Sequence, residues 1–122
     1  MRYDYFLICP QNPSDEELRR IRFWVTGQEF RGVNVYYPAR DTNQNQDEST
    51  ILKDNRQAMI QAKQVALFWS ARSTDYLYDL GMANALGKTD NMLIINASVI
   101  QKTVHKSFDN FLIALAEQGR QR

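Results

Sequence analysis

The sequence predicts one α/β domain in which a four- to five-stranded parallel sheet is doubly wound, with helices on both of its faces. Short apolar segments rich in β-branched and aromatic residues alternate with longer segments of helical period, in the order β-α-β-α-β-α-β-α. Three of the four strand segments are almost continuously apolar, as is typical of strands buried on both faces of a parallel sheet. The length of 122 residues predicts a single domain over 1–122.

The strands are predicted over residues 3–9, 33–38, 64–69 and 91–96. The second strand segment contains Asn34 and therefore fits an edge of the sheet better than its centre. Because ligands of doubly wound sheets bind at the carboxyl ends of the strands, the segments that follow the strands, 10–14, 39–47, 70–79 and 96–98, are the candidate site loops.

The first two helices have recognisable start signals. Ser14 and Glu17 have the spacing of a capping box, so the first helix begins near residues 13–14, and Gly27 or Gly32 ends it. The polar segment 39–49 is predicted to be a mobile, solvated connection, although loops at this position can also carry binding residues. Ser49 or Thr50 is predicted to cap the second helix.

The last two helices are predicted over about 75–86 and about 104–118, ended by Gly87 and Gly119 respectively. Gly81 lies inside the third helix, where glycine costs about 1 kcal/mol relative to alanine. We therefore expect close packing of this helix against the sheet at Gly81 to offset that cost.

Composition excludes several function classes. Fifteen Lys and Arg residues against fourteen Asp and Glu give a net charge of +1, which does not favour nucleic-acid or acidic-membrane binding by bulk attraction. The single Cys9 excludes an internal disulfide and a cysteine zinc site, and the single His105 excludes a histidine-rich metal site. No apolar run is long enough for a membrane span or a signal peptide, so a cytoplasmic location is the default expectation.

The segment 70–88 carries the strongest candidates for a site. Ser73, Thr74 and Asp75 directly precede the third helix, where they either cap it or help its backbone amides to bind a phosphate. Asp79 follows one turn later. Its carboxylate either complements the helix dipole or acts at the mouth of a site, attacking an electrophilic sugar carbon or stabilising an oxocarbenium-like transition state.

Other residues have simpler interpretations. His105 is interpreted as a surface histidine, and Cys9 as a small buried hydrophobe, because no basic residue flanks it. The absence of a G-x-G-x-x-G sequence argues against dinucleotide binding. Arg40 and Arg72 lie in candidate site loops and could pair with a phosphate, with solvated arginine as the default.

Residues 78–88, Y-D-L-G-M-A-N-A-L-G-K, resemble the E-(L/I)-G-x-A-x-A-x-G-K helix of the nucleoside 2-deoxyribosyltransferase superfamily, which includes the 2′-deoxynucleoside 5′-phosphate N-hydrolases. The similarity in element order covers about residues 3–96. It implies a flavodoxin-like, doubly wound domain that acts on a nucleotide or nucleoside without a metal or other cofactor. It also implies a homodimer, because the family often builds its site at a subunit interface.

The resemblance also implies roles for individual residues. Asp79 falls at the family's catalytic glutamate, and Tyr5 at a tyrosine that orients that carboxylate in some members. Asn55 falls at a substrate-contacting aspartate. Ser73 falls where the nucleotide hydrolases contact the 5′-phosphate, and with Thr74 and Asp75 it would form the phosphate site at the start of the helix.

The chain departs from the family pattern at several of these positions. Asp79 is one methylene shorter than glutamate, Asn55 cannot ionise, and two prolines in 9–14 replace a glycine-rich phosphate loop. The expected function is therefore an N-glycosidase-like hydrolase of (deoxy)nucleoside 5′-monophosphates. A non-catalytic nucleotide-binding or interaction module and a nucleoside deoxyribosyltransferase are the alternatives.

Overall fold

Four parallel strands form the sheet: β1 (Tyr3–Ile8), β2 (Val35–Tyr36), β3 (Ala62–Leu67) and β4 (Leu93–Ile94). The computed structural model describes residues 2–100 and 108–120. The strand order is β2-β1-β3-β4, and every neighbouring pair is parallel. The predicted doubly wound, flavodoxin-like α/β class is therefore confirmed, with β2 at an edge as predicted.

Five helices accompany the strands over the described residues: α1 (Asp15–Phe30), α2 (Pro38–Asp41), α3 (Glu48–Ile60), α4 (Leu77–Ala85) and α5 (Phe108–Arg120). A single 3₁₀ turn, Ala97–Val99, follows β4. No helix among the described residues is long and apolar enough to cross a membrane.

The sheet separates two apolar clusters, because successive side chains of a strand point to opposite faces. On one face, Leu7 of β1 and Ala66 of β3 pack with residues of α1, and Trp24 of that helix lies against this cluster. On the other face, alternate residues of the same strands pack with α3, α4 and α5, and Trp69 lies against this cluster. The chain therefore covers one face with α1 and the other with three helices.

The predicted capping box of α1 is confirmed. The Ser14 Oγ accepts a hydrogen bond of 3.1 Å from the Glu17 backbone N–H, and the Glu17 carboxylate accepts one of 2.9 Å from the Ser14 N–H. Gly32, with φ of +83°, follows the end of α1, whereas Gly27 lies inside the helix. Of the two predicted stop signals, Gly32 is therefore the one that the chain uses.

The connection between β2 and β3 differs from its prediction. Residues Pro38–Asp41 form the short helix α2, which takes in the last residue of the predicted second strand and the first residues of the predicted loop 39–49. Asp47, rather than Ser49 or Thr50, caps α3, because its side chain accepts a 2.7 Å hydrogen bond from the Thr50 N–H. A carboxylate at this position satisfies a free amide and complements the helix dipole at once.

Two glycine predictions are wrong. Gly81 is exposed, and a methyl group placed on its Cα would meet nothing within 4 Å, so no close packing offsets its cost. Gly119 lies within α5 and does not end it. Gly87, with φ of +71°, follows the end of α4 as predicted. The predicted start of the last helix, at 104–107, lies outside the described residues.

An asparagine side chain continues the sheet beyond β3 and β4. The Asn96 carboxamide accepts a hydrogen bond from the Trp69 backbone N–H and donates one to the Trp69 backbone oxygen, both of 2.8 Å. The Trp69 indole N–H in turn donates to Asp109 of α5, at 3.1 Å. The hydrogen bond between Trp69 and Asp109 attaches α5 to the segment that follows the carboxyl end of β3.

Helix α1 also has an apolar strip on the side turned away from the sheet. Phe23 and Phe30, two turns apart, are 82% and 91% exposed, and the exposed Gly27 lies between them. Single exposed apolar residues are common on proteins, but two aromatic rings on one helical strip form a patch.

Candidate functional site

A cavity of about 640 Å³ opens at the carboxyl end of β1. The chain moves from β1 outward to β2 and then crosses back to β3, so the strand order reverses beside β1, where doubly wound sheets bind ligands. Apolar side chains from β1 and α3 form part of the wall. The polar lining comes from four separate segments and consists of Gln11, Asn12, Gln44, Glu48, Asn55 and Asp79.

Asp79 lies in the first turn of α4 and is half-buried in the cavity wall. Burial, and secondly the negative charge of Asp75, raise its pKa from the ordinary 3.8 to about 6. The cause is that a poorly hydrated carboxylate loses solvation when it ionises, and a nearby like charge adds repulsion. Such a carboxyl group in a cleft is a candidate for chemistry at neutral pH.

Asp75 acts on the site from outside the cavity lining. It is exposed, and its Oδ2 accepts a 3.0 Å hydrogen bond from the backbone N–H of Gln11. This bond joins the loop after β1 to the loop before α4, which are 64 residues apart in the chain. Asp75 therefore holds the two loops together and adds the like charge that acts on Asp79.

Asn55 of α3 is 8% exposed and contributes to the cavity wall. Its Oδ1 accepts a 2.6 Å hydrogen bond from the hydroxyl of Thr42, which is itself buried. A second hydrogen bond of 2.6 Å joins Thr42 to the hydroxyl of Tyr36. A buried, connected network of this kind fixes the orientation of its members.

Cys9 follows β1 and also lines the cavity. Burial, followed by the negative charges of Asp79 and Asp75, raises the pKa of its thiol to about 12. Since the thiolate is the reactive form, Cys9 is an uncharged part of the cavity wall at neutral pH. This agrees with its interpretation as a small hydrophobe.

The other predicted site residues lie elsewhere. Tyr5 packs edge-on against Trp24 on the α1 face, with the ring centroids 5.4 Å apart, and is not part of the cavity lining. Ser73 and Thr74 do not line it either; the Ser73 Oγ accepts a 3.4 Å hydrogen bond from the Asp75 N–H. The structure thus brings Asn55 and Asp79 to one cavity, whereas the other predicted site residues do not line it: Tyr5, Ser73, Thr74 and Asp75. His105 lies outside the described residues.

Neither predicted arginine lines this cavity. Arg40 donates hydrogen bonds to Glu29 and Asp41, and it faces a second cavity of about 390 Å³ beside α1. Arg72 lies 3.7 Å from Glu17. Among the described lining residues of the larger cavity there are two carboxylates, Glu48 and Asp79, and no cationic side chain.

The described ranges contain no group of three or more His, Cys, Asp or Glu residues that could hold a metal ion. The polar lining is instead rich in carboxamides, which donate and accept hydrogen bonds without a charge. Together with the two carboxylates, this lining suits a ligand that has several polar atoms and no negative charge.

The sequence predicts which loops form this site, but it does not distinguish most of the residues that line the cavity. Gln11, Asn12 and Gln44 lie in segments that follow β1 and β2, where the strand-end rule places ligand contacts. Glu48 was not singled out, although it lies in the polar segment 39–49, where loops can carry binding residues. The carboxamides have no spacing that distinguishes them from solvated loop residues.

Comparison with protein-family models, curated proteins and solved structures gives no significant match. The fold and the cavity together therefore define the class: a doubly wound α/β domain with a polar, acidic cavity at the point where the strand order reverses.

Proposed function

We propose that this protein is an N-glycosidase-like enzyme that cleaves the bond between base and sugar in a nucleoside or a nucleoside 5′-monophosphate. The observation that carries this proposal is the carboxyl group of Asp79, whose pKa is raised to about 6, in a cavity at the carboxyl ends of the strands. A carboxylate that faces the electron-poor sugar carbon can attack it or stabilise its positive charge as an N-glycosidic bond breaks.

In this reaction the Asp79 carboxylate approaches C1′ as the bond from C1′ to the base nitrogen breaks. The base leaves with the electron pair of that bond and takes a proton from water. The carboxylate either stabilises the oxocarbenium-like C1′ or forms a covalent bond to it. A second water then adds to C1′ and loses a proton, which neutralises the hydroxide left when the base was protonated. This step yields the free sugar, or the sugar phosphate, and restores the carboxylate.

The raised pKa suits this role. At neutral pH a group with a pKa near 6 is about 90% ionised, so the reactive form predominates. Partial burial removes part of its hydration shell, which a nucleophile must otherwise lose in the reaction.

The charge of the cavity favours the nucleoside over the monophosphate. A phosphate would enter a lining that holds two carboxylates and, among the described residues, no cation. Ser73, the residue that pointed to a phosphate, does not line this cavity. We therefore expect the phosphate to weaken binding.

One observation favours a non-catalytic binding module as a second candidate. Burial and the charge of Asp75 shift the pKa of Asp79, with no hydrogen bond from a described residue among the causes. Tyr5, which was expected to orient this carboxylate, packs against Trp24 and does not line the cavity. An enzyme that relies on this carboxylate would have to orient it through the substrate.

The deciding experiment is the release of free base, measured by chromatography, from matched nucleosides and 5′-monophosphates. We expect release from nucleosides that Asp79→Asn abolishes and that Asp90→Asn, at an exposed position, leaves intact. Ligand binding without release would support the binding module. Transfer of the sugar to an added second base would support a transferase, and release that survives in Asp79→Asn would refute the assigned role.

A further inference from the structure

The hydrogen bonds behind Asn55 have a defined direction. The hydroxyl of Thr42 has one proton, and it donates that proton to the Asn55 Oδ1 at 2.6 Å. In the 2.6 Å bond between Thr42 and Tyr36 the Thr42 oxygen must therefore accept, and the Tyr36 phenol must donate. The chain of donation runs from Tyr36 through Thr42 to Asn55.

Both donors are firmly held. The Tyr36 ring stacks on Phe6, with the ring centroids 5.6 Å apart and the planes 13° from parallel. Burial raises the pKa of Tyr36, so its phenol keeps the proton that it donates. Thr42 is 5% exposed, ends the short helix α2 and is not part of the cavity lining.

This arrangement leaves the amide nitrogen of Asn55 for the cavity. Over the described residues, every fully buried side-chain nitrogen and oxygen has a hydrogen-bond partner. The Asn55 Nδ2 has no partner within that part of the chain, so it must reach open space. The open space beside Asn55 is the cavity that it lines.

We propose that Tyr36 and Thr42 are positioning residues that hold the Asn55 NH₂ group toward the cavity, so that the site selects bases with a hydrogen-bond acceptor there. The ligand class is a keto base rather than an amino base. The inference rests on the proposed function, because it deepens the substrate choice of the same site.

The base, rather than the sugar, is the group that a fixed amide can select. Sugar hydroxyls donate as well as accept, so they fit either orientation of a carboxamide. A keto oxygen only accepts, whereas the amino group that replaces it in the matched base donates. A site built around a fixed hydrogen bond rejects the mismatched partner, because a buried polar group would then stay unpaired.

The test compares kcat/KM for base release in two matched pairs, inosine with adenosine and uridine with cytidine. We expect the wild-type protein to prefer the keto member of each pair by about tenfold, the factor that one ordinary hydrogen bond contributes. Thr42→Val is close in shape to threonine but cannot donate, so the amide is free to rotate and the preference should fall to about twofold or less. Thr42→Ser keeps the hydroxyl and should keep the preference.

Two results would overturn the inference: a Thr42→Val protein that loses activity on all four substrates alike with an unchanged preference, or a wild type that prefers amino bases. If no nucleoside is cleaved, the proposed function fails. The inference is then decided by a second experiment, in which NMR follows the binding of hypoxanthine, adenine, uracil and cytosine. Keto preference that Thr42→Val removes supports the inference there, and binding of none of the four bases refutes it.

Discussion

Replacement of Asp79 by asparagine is expected to stabilise the folded protein above about pH 6 and to leave its stability nearly unchanged below about pH 4. The pKa of the Asp79 carboxyl is about 6 in the folded protein, against an ordinary value of 3.8. Between these values the folded chain still holds a proton that the unfolded chain has released. Stability therefore falls as the pH rises through this window.

The magnitude follows from the two pKa values. A tenfold change in an equilibrium corresponds to about 1.4 kcal/mol, so the ionised Asp79 costs about 2–3 kcal/mol of folding free energy once the pH exceeds 6. Asparagine has nearly the same shape and no charge, and it removes this cost. The stability gain of Asp79→Asn should grow from about zero to about 2–3 kcal/mol across the window.

The assay is urea unfolding followed by far-ultraviolet circular dichroism, at several pH values from about 4 to about 8. Asp90→Asn makes the same chemical change at an exposed position and serves as the matched control. A difference between wild type and Asp79→Asn that stays constant over this range would refute the conclusion that Asp79 ionises in a poorly hydrated wall.

The remaining predictions concern activity, packing and assembly. For base release, kcat/KM should rise with pH through about 6 as Asp79 ionises; a fall with pH would instead assign it as a proton donor. Gly81→Ala should stabilise by about 0.5–1 kcal/mol in urea unfolding, because its methyl group enters open space within a helix, and destabilisation would show a hidden contact. Asn96→Ala should cost about 1–3 kcal/mol in the same assay, since it leaves both backbone groups of Trp69 without partners; an effect below about 0.5 kcal/mol would mean that water replaces the side chain. If the predicted homodimer forms through the outer strip of α1, Phe30→Asp should render it monomeric in sedimentation at unchanged stability, and a persisting dimer would place the interface elsewhere.

The parts of the fold that depend on local chemistry could be predicted from the sequence. The capping box of Ser14 and Glu17 needs only four consecutive residues, and the apolar runs of the central strands reflect burial on both faces. Asp47 was missed because three neighbouring residues, Asp47, Ser49 and Thr50, can all cap a helix. The choice among them depends on the path of the chain between the end of α2 and the start of α3.

The candidate site was predictable in part for a related reason. Asp79 was identified by its position in the segment that follows the third strand, and Asn55 by the resemblance alone, and both line one cavity. Thr42 was not identified, because its role depends on the 2.6 Å hydrogen bond to Asn55, thirteen residues away. The packing of Tyr5 against Trp24 likewise depends on the angle at which α1 crosses the sheet, which no local pattern encodes.

The positions of the two tryptophans make the two layers of the protein separately visible to fluorescence. Trp24 belongs to the cluster under α1, where the ring of Tyr5 meets it edge-on, and Trp69 belongs to the opposite cluster, where Asp109 of α5 accepts its indole proton. A protein that keeps only Trp24 would report the docking of α1 during refolding, and one that keeps only Trp69 would report the docking of α5. Since the sheet stands between them, the order in which its two faces are covered becomes a measurable property of this chain.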